Sequence, residues 1–357
     1  MSVALAIIFA FLIFSILIFV HELGHFIAAK LSGVQVNEFA MFMGPAIVKW
    51  QRGETQYSIR CIPIGGYCAM EGEDEDTDNP RSFQKADWWK RLIILVAGAA
   101  TNFVAGVLII VIVFLPVRQF VTPTIASFET WSTVQGEEGL QEGDTFLEVD
   151  GERIYTASNV SLMLSLNPGD VHDVVVERDG QKIVLDDFEM KKHEITDSDG
   201  TKSLRYGFSF SIENATLESK LKTAIYSTMD TVRTVWLSLQ MLLTGRAGLK
   251  DMSGPVGIVQ VMSDTAQASA TTFDAFMNML YFGGFIAINL AVMNLLPIPA
   301  LDGGRVVGLL LTVAVEKITK KKIDPKYEGY LHGVGMILLL ILMAVIMFKD
   351  IFVIFKG

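Results

Sequence analysis

Apolar residues along this chain gather into four long blocks, Met1 to Val20, Leu92 to Val117, Ala275 to Leu301 and Gly329 to Phe348, and none of these contains Asp, Glu, Lys or Arg. A helix rises about 1.5 Å per residue, so about 20 apolar residues cross a hydrocarbon core about 30 Å thick. Each block is therefore predicted as a transmembrane helix. The first lacks a basic leading region and a small-residue cleavage site, which sets it apart from a cleaved secretory leader. The pattern predicts a polytopic α-helical membrane protein with helices over 1–30, 92–117, 275–304 and 329–357.

The polar stretches between the blocks have patterns of their own. Residues 31–91 are too polar to span and hold strand-like pieces at Val34 to Phe39 and Gln56 to Ile62, with Gly-Pro and Gly-Gly punctuation. They are expected to form a β-rich loop. Residues 118–212 have the size of one soluble α+β domain. There, Gly139-Leu140-Gln141-Glu142-Gly143-Asp144 leads into a strand at Thr145 to Val149 and a turn at Asp150-Gly151. A helix near Ala157 to Ser165, the turn Asn167-Pro168-Gly169-Asp170 and two strands at Val171 to Glu177 and Lys182 to Leu185 follow, the strands joined at Asp179-Gly180. Within 213–274, Leu217 to Leu243 reads as an amphipathic helix, suited to the membrane surface or to clamping domains together. Residues 305–328 read as a basic loop.

Charge orients this arrangement. Lys85, Lys90 and Arg91 precede the second block, and Arg305, Lys317, Lys320, Lys321, Lys322 and Lys326 follow the third. The positive-inside rule makes both loops cytoplasmic and places the termini and the soluble domain outside, an asymmetry that Lys349 and Lys356 weaken without reversing. A mean hydropathy of +0.42 with 19% charged residues agrees with a membrane protein that has sizeable soluble parts. The net charge of −10 averages over both sides, and part of it is a run from Glu71 to Asp78 with six carboxylates in eight residues, read as a solvated loop. Cys61 and Cys68 lack a zinc spacing and fall on the inferred cytoplasmic side, where disulfides are rare. The chain carries no phosphate loop, nucleic-acid signature or internal repeat.

The chemistry concentrates where the first block ends, at His21-Glu22-Leu23-Gly24-His25. Positions four apart share a helix face, so two imidazoles can grip one ion with Glu22 beside them. A catalytic zinc ion takes three protein ligands and keeps one position open, so a third ligand is needed. His172, His193 and His332 lack a ligand context. Asp302 has one, closing the third block in Asn294-Leu295-Leu296-Pro297-Ile298-Pro299-Ala300-Leu301-Asp302-Gly303-Gly304. The first and third blocks both run inward, which brings His21 and Asp302 to matching depths. A charge near the centre of a membrane helix costs on the order of 2.5–3.5 kcal/mol and marks function by default. Structural zinc binding, worth about 10–16 kcal/mol in small peptides, is large enough to offset it. Pro297 and Pro299 interrupt the third helix, and freed backbone at membrane depth is tolerated where it lines a polar cavity.

His-Glu-x-x-His in the first span together with Asn-x-x-Pro-x-Pro-x-Leu-Asp-Gly in a later one resembles the site-2 protease family of intramembrane zinc metalloproteases, and is most similar to its bacterial regulator-of-sigma-E type. Pro63-Ile64-Gly65-Gly66-Tyr67 and Ser253-Gly254-Pro255-Val256-Gly257-Ile258 extend the likeness. The resemblance implies a Zn2+ cofactor held by His21, His25 and Asp302, with Glu22 as general base and Asn294 binding substrate backbone beside Pro297 and Pro299. It also implies that the β-rich loop dips into the membrane near the active site. The order of elements in 118–212 resembles a single PDZ-like domain, although Glu138 and Gly139 replace the small residue usual before Gly-Leu-x-x-Gly-Asp; such a domain would act as size filter or docking platform. The implied partners are single-span membrane substrates, such as anti-sigma factors or remnant signal peptides, and the lipid bilayer of a bacterial cell membrane, with no nucleic acid. Two other classes fit a membrane protein of this pattern: a non-catalytic scaffold acting through the PDZ-like domain, in which Glu22→Gln would be silent, and a zinc-dependent transporter or sensor. Neither explains an acid held between two histidines.

Overall fold

The computed structural model describes residues 3–73, 77–167, 169–196, 202–248, 250, 252–320 and 326–356. Asp74 to Asp76 of the acidic run, Pro168, Lys321 and Lys322 lie outside them. The chain forms two compact units, Met1–Val113 with Thr231–Gly357, and Phe114–Asp230.

In the first unit, α1 (Val3–Leu31) continues unbroken through the His-Glu-x-x-His motif. Its two ends enter separate cores. Ala6, Ala10, Ile13 and Leu17 pack with later helices, while Ala28 and Ala29 pack on the β-rich loop. That loop is a long hairpin, β1 (Val36–Arg52) and β2 (Thr55–Met70). Both strands bend midway, at Phe42 and Gly44 in β1 and at Gly65 in β2, all with positive φ. The start of β1 consequently pairs on one side with Gln56 to Ile59 and on the other with Gly66 to Met70, which leaves Gly66 to Met70 at the edge. Glu38 pins the fold: burial opposes its charge, but hydrogen bonds from Ser58 and Arg60, each 2.7 Å, outweigh this and hold the carboxyl at about 2.

A second helix, α2 (Trp88–Phe114), starts four residues before and ends three residues before the expected span. Pro116 disfavours helical geometry at Leu115. The second unit then begins with β3 (Gln119–Phe128), β4 (Thr145–Val149), β5 (Glu152–Arg153), α3 (Ala157–Leu166), β6 (Val171–Arg178) and β7 (Gln181–Glu189). A hairpin β8 (His193–Thr196) and β9 (Lys202–Arg205) follows, then β10 (Phe208–Asn214). The main sheet runs β10-β3-β4-β6-β7, with β5 beside β4. Both expected Asp-Gly turns form, with positive φ at Asp150, Gly151, Asp179 and Gly180. The last three strands were not expected, and the unit extends past the expected boundary at 212 into the next helix, α4 (Leu217–Leu243), which has the bounds its periodicity predicted.

Back in the first unit come α5 (Pro255–Ala268), α6 (Thr272–Asn294), α7 (Asp302–Thr319) and α8 (Lys326–Lys356). The Ser-Gly-Pro-Val-Gly stretch is the start of α5. There the backbone amides of Gly254 and Gly257 donate to the Asp350 carboxylate of α8 at 2.8 and 3.0 Å, so a side chain from another helix caps the orphan amides. Two boundaries differ from expectation. The third helix does not reach 304: it stops at Asn294, because Pro297 and Pro299 lack the amides that would continue it. The basic loop over 305–328 is largely helical, since α7 begins at Asp302 and puts apolar residues such as Leu309 into the core. Among the described residues, four helices are long and apolar enough to cross a membrane, within α1, α2, α6 and α8.

Candidate active site

Three ligand-type atoms converge between α1 and the start of α7. His21 Nε2 and His25 Nε2 are 3.3 Å apart, and Asp302 Oδ2 lies 3.2 Å from the first and 3.4 Å from the second. His25 Nδ1 is 2.8 Å from the Ile94 carbonyl oxygen, which can only accept, so Nδ1 carries a proton and the ring is oriented with Nε2 toward His21 and Asp302. Asp302 Oδ2 is buried and has no well-aligned hydrogen-bond donor among the described residues. Three ligand-type atoms little more than 3 Å apart can share one cation. Zinc bonds of about 2.0–2.1 Å at tetrahedral angles imply ligand-to-ligand separations of about 3.3–3.4 Å, the size of this triangle. The donor set therefore fits zinc.

Local structure explains how the triangle is assembled. The α-helical period brings the two histidine rings together edge to face, with centroids 4.8 Å apart. Asp302 arrives because the chain reverses after Asn294 and starts a new helix. A Cβ on Gly303 would lie 2.3 Å from the Leu295 carbonyl, so this fold-back needs glycine. Gly98 of α2 does the same for the histidines, since a Cβ there would sit 2.2 Å from His25 Nε2. Sequence reasoning passed over Gly98. Its signal was the small-residue run Gly98-Ala99-Ala100-Thr101, in which Thr101 Oγ1 reaches the Val20 carbonyl of α1 at 3.1 Å.

The triangle opens into a cleft of about 670 Å³, roomy enough for a peptide segment. The edge segment Tyr67 to Met70 and Glu22 line it. The hairpin approaches closely: a Cβ on Gly66 would be 3.3 Å from Glu22 Cγ. At the rim Glu73 pairs with Arg305 of α7. Cys68, Glu73 and Arg305 were not singled out from the sequence as cleft residues.

Other expected residues sort clearly. The Asn294 side-chain nitrogen lies 3.5 Å from His21 Nδ1, at the long limit of a hydrogen bond that its N–H would donate to the ring. Pro297 is exposed and Pro299 packs beside α8, so the expectation that they line the cleft is not met; they end α6 and shape the turn. The remaining histidines are engaged elsewhere: His172 with Asp150 and Gly169, His193 with Thr133, and His332 with Ala300. Cys61 and Cys68 are free thiols, exposed and buried respectively.

A candidate metal triangle with a neighbouring acid, part of it on a helix of membrane-crossing length, is the arrangement a membrane metalloprotease needs. Comparison with known proteins agrees, and the chain belongs to peptidase family M50, which matches residues 9–342. Relatives include a Clostridium acetobutylicum protein provisionally named a zinc metalloprotease, 36% identical over 97% of both chains. A Clostridium perfringens protein with the same provisional name is 37% identical, covering 97% of this chain and 98% of the other. The Regulator of sigma-W protease RasP of Bacillus subtilis is 26% identical over 95% of this chain and 96% of its own. The protein is an M50 zinc metalloprotease of the membrane.

Proposed function

We propose that this protein is an intramembrane endopeptidase of the regulator-of-sigma-E type, cleaving single-span membrane proteins that have already been cut outside the bilayer. The observation that carries this reading is the triangle of His21, His25 and Asp302 with Glu22 beside it, its two histidines on a membrane-length helix. His21, His25 and Asp302 hold the zinc ion, which when bound polarises the scissile carbonyl and makes water acidic enough to attack near neutral pH. Glu22, the acid beside the histidine pair, would accept a proton from an attacking water and return it to the leaving amine. Asn294 orients the His21 ring and offers its remaining amide valences to the substrate backbone.

A transmembrane helix hides its peptide bonds, so the substrate must be extended before it is cut. Gly66 to Met70, an edge of the hairpin sheet that borders the cleft, suits this step by adding the substrate as one more strand. Anti-sigma factors are the favoured substrate class, supported by the name of the Bacillus subtilis relative, with remnant signal peptides a further class. In this reading the protein is a multi-pass bacterial cell-membrane protein whose termini and second unit are extracytoplasmic, with the active site toward the cytoplasm. The second unit acts as a PDZ-like filter. Exposed Leu217, Leu221, Ile225 and Met229 recur every fourth residue on α4, as for a helix lying on the outer leaflet.

The test compares wild type and Glu22→Gln on a tagged single-span substrate already trimmed on its outer side. Cleavage should fall by about 10²–10⁴-fold in the variant while zinc content stays unchanged, and a chelator should stop the wild type. Equal product from both proteins would remove Glu22 from the mechanism, and no product from either would leave a scaffold or transporter as the better account.

A further inference from the structure

His332 is a buried histidine in an apolar stretch of α8, 9% exposed, and the chemistry above makes no use of it. Buried polar side chains at membrane depth are kept where they hold something. Its Nδ1 accepts the backbone N–H of Ala300 at 3.1 Å, 32 positions away in sequence. Ala300 has φ +83°, a left-handed conformation that a residue bearing a Cβ avoids. Gly335, three residues further along the same helix face, receives Pro299: a Cβ there would lie 2.5 Å from Pro299 Cβ and 2.8 Å from its carbonyl oxygen. Two residues past Ala300 stands Asp302. The turn's other backbone bonds are short-range, from Ile298 N–H to the Leu296 carbonyl and from Leu301 N–H to the Ile298 carbonyl.

We propose that His332 is a positioning residue for the metal centre: by accepting the Ala300 amide it locks the strained turn so that Asp302 reaches the two histidines. The inference rests on the reading of Asp302 as a zinc ligand. What matters is an acceptor at the Nδ1 position. Asn puts its side-chain oxygen at nearly the same place, Gln carries it one methylene too far, and Leu supplies none.

The experiment uses full-length, zinc-loaded protein in detergent and reads zinc release to a chelator alongside kcat and KM for a trimmed single-span substrate. His332→Leu should release zinc about 10- to 100-fold faster, the usual effect of losing a group that orients a ligand, and lower kcat with little change in KM. His332→Asn should restore most of the retention and His332→Gln should not. Ala300→Gly placed in the His332→Leu background should recover part of it, because glycine adopts the left-handed turn unaided. If His332→Leu fails to fold, the Asn and Gln pair decides: wild-type release rates in both overturn the proposal. Unchanged release in His332→Leu, with zinc lost from Asp302→Ala, overturns the role of His332 and leaves the ligand reading standing. Full zinc in Asp302→Ala overturns that reading and this inference with it.

Discussion

Each unit of the molecule holds an aspartate with a buried carboxylate oxygen, Asp144 in the second and Asp302 in the first, and the two are treated oppositely. Asp144 of the second unit is fully buried, and the protein itself satisfies it: Arg178 donates to both carboxylate oxygens at 2.7 Å and the Gln141 amide donates at 2.7 Å. This is the Asp of the Gly-Leu-x-x-Gly-Asp loop, and Arg178 also reaches the Gly139 carbonyl, so one guanidinium closes the loop onto the sheet. Asp302 of the first unit has no guanidinium or backbone amide on Oδ2 among the described residues, and it faces two imidazole nitrogens of ligand type. A buried charge with all its partners is architecture; one whose neighbours share its need for a cation is a binding site.

Substituting the two aspartates should separate these roles. Asp302→Ala is expected to abolish cleavage and zinc retention while the protein still inserts and keeps its helical content, read by metal analysis and circular dichroism. Retained zinc would erase the contrast. Asp144→Ala should leave zinc in place but destabilise the second unit by about 3–5 kcal/mol, the usual effect of stranding a buried partner, here Arg178. Hydrogen exchange of β6 amides in the full chain would report it, and wild-type protection would show that the pair contributes nothing. Gly98→Ala tests how closely the first unit is built around its ligands. The added Cβ should cost about 1–3 kcal/mol of overpacking and weaken zinc binding by displacing His25, with no change in β6 protection.

The smallest effect concerns Asp150 in the second unit. Burial opposes its charge, but contacts with His172 at 2.8 Å, Asn167 at 3.1 Å and the Asp173 amide at 3.0 Å hold its carboxyl below the usual carboxylate range. A depressed folded pKa contributes stability above the unfolded value near 4, and that contribution disappears as pH falls through the folded one. Protection of β6 should decline on acidification below about pH 4, and Asp150→Asn should flatten that part of the profile. An identical profile in the variant would assign the decline to other groups.

Much of this was legible from residues alone because it depends on local periodicity. Four uncharged runs gave the spans, positions four apart put His21 and His25 on one face, and the stripe of Leu217 to Leu243 gave α4 to the residue. Asp302 could be paired with the histidines because depth in a bilayer follows from distance along a helix. Boundaries failed where two signals competed. Gly303 and Gly304 read as the end of the third span and the basic residues after them as loop, yet α7 forms because tight packing on Leu295 needs glycine and its apolar residues find a core.

The sequence by itself determined that a metal-binding pair sits at the end of a membrane-length helix, and that a soluble domain is inserted between spans, since both are written in nearest-neighbour patterns. Only the tertiary structure decided that ligand-type atoms of His21, His25 and Asp302 meet in a zinc-sized triangle, that Gly98 makes room for them, that Tyr67 to Met70 borders the cleft, and that His332 accepts a hydrogen bond from the turn before Asp302. Those contacts join residues from 30 to nearly 300 positions apart, and no local period carries information about which distant surfaces will touch.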